Sequence, residues 1–136
     1  MIEVEPLYLE LKTISEPNAR GHWAKRAARA RAQRRKAQTL AAPRAAAVGL
    51  PVAVTLTRIA PSSGLDDDNL RGALKAVRDG VADAFGLDDR DGRIAWAYEQ
   101  QRGKEYGVRI DSEVREAKWK EREADMKRRH GGRVPV

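Results

Sequence analysis

The stretch that most limits the fold of this chain is residues 70–85. Leu70, Ala73, Leu74, Val77, Val81, Ala84 and Phe85 recur there at helical spacing. That period predicts one amphipathic helix, and its apolar stripe must be covered by another layer. Residues 51–59 precede it and alternate strictly, with Val52, Val54, Leu56 and Arg58 on one face of a β-branched strand. Further strands are expected at 7–12, 93–100 and 106–110, the last two joined by a hairpin turn over 101–105. A second helix is expected over 23–40, with a thin apolar side of Trp23, Ala27, Ala30, Ala37 and Ala41. Pro43 and Gly49-Leu50-Pro51 then mark a linker. Residues 112–129 place Glu116 and Lys120, Glu123 and Lys127, and Asp125 and Arg129 at i,i+4 spacing, which predicts a charged helix with little face to bury. The expected class is α+β: a small mixed β-sheet with helices packed on it (1–111), plus a charged C-terminal helical extension (112–136).

Charge narrows the partners. The chain has 136 residues and a formal charge of +7. Between Glu16 and Asp66 there is no acidic residue, while Arg20, Lys25, Arg26, Arg29, Arg31, Arg34, Arg35, Lys36, Arg44 and Arg58 fall in that interval. A helix showing so many cations repels itself, and phosphate contacts relieve that repulsion. Nucleic acid is therefore the expected partner, gripped by Arg20, Lys25, Arg26, Arg29, Arg34 and Arg35, with Arg71 from the second helix. The chain contains no cysteine and only His22 and His130, which argues against thiolate chemistry and the usual zinc sites. No apolar run is long enough to span a membrane and the N-terminus lacks a signal-like core, so a cytoplasmic protein is expected.

In this basic chain two acidic clusters bracket the 70–85 helix: Asp66-Asp67-Asp68 before it, and Asp88-Asp89 after it. Like charges this close repel, and a hard divalent cation is one reason to keep them. Magnesium takes oxygen ligands, commonly one or two carboxylates with water and substrate phosphate. The competing reading is helix capping by Asp67 or Asp68. Calcium is a further option, although the EF-hand frame is missing. A helix over 70–85 is ~24 Å long, so Asp89 meets Asp66 and Asp68 only if its loop folds back, or it serves a neighbouring subunit.

Asp66-Asp67-Asp68-Asn69-Leu70, a lysine on the following helix, Asp79, and Gly86-Leu87-Asp88-Asp89 resemble, as an ordered set, the pattern of RusA-type Holliday junction resolvases. The likeness covers roughly residues 7–110. It implies an endodeoxyribonuclease that cuts four-way DNA junctions as a homodimer in recombination and repair. It implies metal ligands at Asp66, Asp68 and Asp89, with Asp88 beside them, for magnesium or its substitute manganese, and a catalytic lysine. This chain departs at the lysine. The family's position, four residues after the second aspartate, is Gly72, and the nearest lysine is Lys75. Three residues turn a helix by about 300°, so Lys75 keeps the facing about one turn further along. The departure keeps two rivals open: a catalytically weakened DNA-binding protein of the same fold, and a nuclease for flaps or other branched DNA.

Overall fold

The computed structural model describes residues 5–13 and 23–115. The order is β1 (Leu7–Leu9), α1 (Trp23–Val48), β2 (Val52–Ala60), α2 (Asp67–Ala84), β3 (Ile94–Arg102) and β4 (Gly107–Val114). The strands form one mixed sheet in the order β1-β4-β2-β3. β3 is parallel to β2, and β4 is antiparallel to both β2 and β1. This is the small α+β fold expected. Among the described residues no helix is long and apolar enough to cross a membrane.

β2 sits at the centre because nearly every residue in it can be buried. Val52, Val54 and Leu56 line the helix-facing side at no more than 1 % exposure, and the row continues into Arg58 and Ala60. Strands that pair in parallel need a crossover, and α2 supplies it between β2 and β3. Leu70, Leu74, Val77 and Val81 bury the predicted stripe against this row. Truncating a fully buried leucine such as Leu74 removes ~2–5 kcal/mol.

Both ends of α2 are specified locally. Asp66 is the N-cap, in extended backbone, and its carboxylate accepts from the Asn69 amide. This corrects the expectation that Asp67 or Asp68 caps the helix. They occupy its first turn instead, where their charge opposes the macrodipole. At the other end the Leu87 amide donates to Ala82 O and the Gly86 amide to Asp83 O. That paired return needs a left-handed residue, and Gly86 has φ +73°.

Three expectations are corrected. The helix α1 does not stop before Pro43 but continues to Val48. Its buried side is Ala37, Ala41, Ala45 and Val48, whereas Trp23 and Ala30 are exposed. The run of alanines keeps packing beyond the proline, which offsets the hydrogen bond the proline removes. Second, β3 and β4 do not form a hairpin. They lie on opposite sides of β2, and the connection between them passes over its end, where Gly103 donates to Ala60 O. A Cβ at Gly103 would stand 2.6 Å from Ile59 Cγ2, so the crossing requires glycine. Third, residues 112–114 belong to β4, which pairs with β2 through Val114. The expected charged helix beyond them lies outside the described residues.

The two helices cross at Gly80. A Cβ there would come within 2.3 Å of the Arg34 carbonyl oxygen and 2.7 Å of Ala37 Cβ. Gly72, on the same helix, has open space where its Cβ would be. Opposite responses to the same substitution are expected. Gly72→Ala should stabilise the protein by up to ~1 kcal/mol through helix propensity. Gly80→Ala should destabilise it by ~1–3 kcal/mol by forcing the helices apart. Urea unfolding of both variants measures this, and equal effects would contradict the crossing.

Candidate functional site

Asp66, Asp67 and Asp68 emerge together where the chain leaves β2 and enters α2, and all are exposed. The Asp66 carboxylate is occupied on both oxygens, by the Asn69 amide at 2.9 Å and by Asn69 Nδ2 at 3.1 Å. The preceding loop is clamped to β3. Gln100 accepts from the Leu65 amide at 2.7 Å and donates to the Leu65 carbonyl at 2.8 Å. A Cβ on Gly64 would approach the Gln100 amide to 3.1 Å, so the clamp closes over a small residue.

The second acidic loop does fold back along α2. Asp89 is half-buried, and its carboxylate meets Lys75 Nζ at 2.8 Å and Arg78 Nε at 3.0 Å. Its backbone carbonyl accepts from Trp96 Nε1 and from Arg78 Nη2, each at 2.9 Å. Arg78 also donates to the Tyr98 hydroxyl at 2.6 Å and lies 4.8 Å from the centre of the Trp96 ring. Arg71 stacks 5.6 Å from the Tyr98 ring. Trp96, Tyr98 and Gln100 are alternate residues of β3, hence on one face. One face of one edge strand therefore holds both acidic loops.

The return stops short. Lys75 is seven residues beyond Asp68, ~10 Å along the helix axis. Measured along β3, the Trp96 and Gln100 anchors are ~13 Å apart. Among the described residues no three carboxylate or imidazole side chains are grouped closely enough to hold a metal ion. Asp66 and Asp68 thus stand exposed at the start of α2 and Asp89 is brought to Lys75, and among the described residues they form no three-carboxylate group. Asp88 is mostly exposed and accepts from the Arg90 amide within its own loop.

Lys75 bridges Asp89 and Asp79, with 2.8 Å to each. The hydrogen bond from Lys75 holds the Asp89 carboxyl below its ordinary value of 3.8, against the opposing effect of burial. Asp83 is lowered in the same way by Arg34, which forms a two-point pair with it at 2.6 and 2.9 Å and reaches Asp79 at 4.0 Å. Arg34 is therefore engaged by α2. Part of the α1 charge is balanced by acids on the neighbouring helix, a pairing that no local spacing reveals. Of the other expected phosphate contacts, Lys25, Arg35 and Arg71 are exposed and Arg26 and Arg29 half-buried. Arg20 lies outside the described residues. Gly72 opens onto a groove of about 290 Å³ between α1 and α2, lined by Arg31, Arg34, Lys75 and Asp79.

No family model matches the chain. An uncharacterised protein of Xylella fastidiosa (strain Temecula1 / ATCC 700964) is 38 % identical over an 84-residue alignment that covers 54 % of this chain and 52 % of that protein. The chain thus spans about half the length of the relative it matches. Neither comparison assigns it to a family.

The Asp89 and Asp83 pairs carry a pH dependence. Each carboxyl has a folded pKa below its unfolded one, so the unfolded chain binds the proton more readily. Their contribution to stability is complete above the unfolded value of about 4 and is lost as pH falls through and below it. Asp89→Asn should lower stability on the order of 1 kcal/mol at neutral pH and flatten the loss on acidification. Urea unfolding between about pH 2.5 and 7 tests this. An acid limb parallel to that of the wild type would show that the pair contributes nothing.

Proposed function

We propose that this protein is a magnesium-dependent endodeoxyribonuclease of the RusA type that cuts branched DNA, with the four-way junction as its preferred substrate. The observation that supports this is the attachment of both acidic loops to one face of β3, with Asp66 and Asp68 exposed at the start of α2 and Asp89 returned to the same helix. Asp66 and Asp68 fit a hard cation by the chemistry of their oxygens, with water and substrate phosphate completing the shell and manganese able to replace magnesium. When bound, such an ion polarises the phosphate and lowers the pKa of an attacking water. Asp89 joins that set only by exchanging Lys75 and Arg78 for it. Lys75, which would keep its pair with Asp79, would then have an ammonium face available to stabilise charge on the scissile phosphate. Lys25, Arg26, Arg29 and Arg35 of α1 and Arg71 of α2 grip the phosphates of the arms, contacts that position without reading sequence. A junction with two-fold symmetry needs two matched cuts, which a C2 homodimer provides.

Two observations favour a second reading. Asp89 is engaged by two cations, and Gly72 stands where the family has lysine. Both fit a protein of this fold that binds branched DNA and cuts it weakly.

Two variants separate the readings on synthetic four-way junctions. Asp68→Asn should reduce magnesium-dependent nicking by at least ~10-fold while leaving junction binding intact. Gly72→Lys, which meets open space, should fold and should increase nicking. Nicking that is absent in every variant, with binding retained, would select the second reading. Equal cutting of junction, flap and plain duplex would remove the junction preference.

A further inference from the structure

Arg58 is the charged residue buried in the core, only 5 % exposed, among the described residues. The alternation of β2 puts it on the helix-facing row after Val52, Val54 and Leu56. Burying a guanidinium is costly unless an anion accompanies it. Here, among the described residues, no carboxylate lies within 4.0 Å of it. Its Nε donates to Thr13 Oγ1 at 3.1 Å, and Thr13 is itself fully buried. The guanidinium carbon lies 6.0 Å from the centre of the Tyr106 ring. A second cation, Lys12 Nζ, lies 5.3 Å from the same ring. Two cations thus converge on one aromatic ring beside a hydroxyl, with no carboxylate among the described residues within 4.0 Å of either.

The position is as informative as the chemistry. Arg58 pairs across the sheet with Gln100, the residue that clamps Leu65 just before Asp66. Adjacent strands are about 4.8 Å apart, so the Arg58 backbone lies beside the residue that clamps the acidic loop, at the C-terminal end of β2, while its guanidinium turns towards Thr13 and Tyr106. In sheets built on a parallel βαβ unit that end is where ligands bind. Its Nη nitrogens carry no hydrogen bond among the described residues, and a guanidinium offers them as a fork that matches phosphate oxygens.

We propose that the Arg58 Nη nitrogens and Lys12 form a binding site for a single phosphate group, which a nucleic-acid strand supplies as a phosphodiester, with the buried Thr13 hydroxyl holding Arg58 Nε in place. The site stands on the surroundings of Arg58 and does not depend on a metal or on cleavage. It adds a strand-holding cation beyond the end of β1, where Gln33 of α1 donates to the Lys12 carbonyl.

The test is run in EDTA, so that neither metal nor turnover contributes. A fluorescent single-stranded oligonucleotide and a four-way junction are titrated with wild type, Arg58→Met and Lys12→Met at several salt concentrations. Thermal unfolding is followed in chloride, in inorganic phosphate and with oligonucleotide. Arg58→Met should be at least as heat-stable as wild type in chloride, because it removes an unpaired buried charge. It should bind DNA about tenfold more weakly, the scale of one charged hydrogen bond. The slope of log K against log salt should fall by about one. Lys12→Met, at an exposed position, should show the same direction. Stabilisation of wild type by inorganic phosphate as strong as by oligonucleotide supports the site and assigns it to free phosphate; stabilisation by oligonucleotide alone supports it and assigns it to the strand. Wild-type affinity and slope in Arg58→Met overturn the proposal. Should Arg58→Met fail to fold, unchanged affinity and slope in Lys12→Met overturn it.

Discussion

The parallel pairing of β2 with β3 is the constraint on which the rest of the structure depends. Two parallel neighbours cannot be joined by a tight turn, so a helix must run back between them. That helix separates the two acidic loops by its own length, ~27 Å for α2. Only a loop that doubles back along the helix can reduce the gap. Here the doubling back is driven by specific partners. Lys75 and Arg78 take the Asp89 carboxylate, while Trp96 and Arg78 take its carbonyl. Asp89 rests where these partners stand. The separation between Asp89 and Asp68 is therefore a consequence of where α2 carries its cations.

The same reasoning orders the cations. Those facing α2 are neutralised: Arg34 by Asp83 and Asp79, Lys75 by Asp79 and Asp89. Lys25, Arg31 and Arg35 remain exposed along α1. Arg58 is the exception to both patterns, being buried with no acid paired to it among the described residues. The described residues thus divide their charge into structural pairs around α2, a solvent-facing basic side, and one buried cation beside Thr13 and Tyr106.

Much of the fold was legible in residue order, because the strongest signals were local. The alternation of β2, the 3.6-residue stripe of α2 and the glycine that ends it depend on neighbours a few residues away. The acids bracketing α2 were legible as a pair for the same reason. What escaped depends on distant contacts. The continuation of α1 through Pro43 rests on Ala41, Ala45 and Val48 packing into the core, and a proline read alone signals a stop. The β3–β4 hairpin failed because β2, from earlier in the chain, pairs more favourably between them. Capping by Asp66 was mistaken by one or two residues because three consecutive aspartates are equivalent until the backbone selects one. Gly80 carries no mark in sequence of the helix that crosses it. Arg58 lies in the predicted strand row, but that no described residue pairs an acid with it appears only once the sheet is assembled.

The central claim is that Asp66 and Asp68 receive a divalent ion while Asp89 is held apart by Lys75 and Arg78. Titration of the isotope-labelled protein with manganese, followed by paramagnetic broadening of its amide signals, tests it most directly. The account predicts that broadening centres on residues 65–69 and reaches residues 88–91 only at higher manganese. In Lys75→Met the second group should broaden together with the first. Broadening centred on residues 88–91 in the wild type, or no selective broadening at residues 65–69, would contradict it.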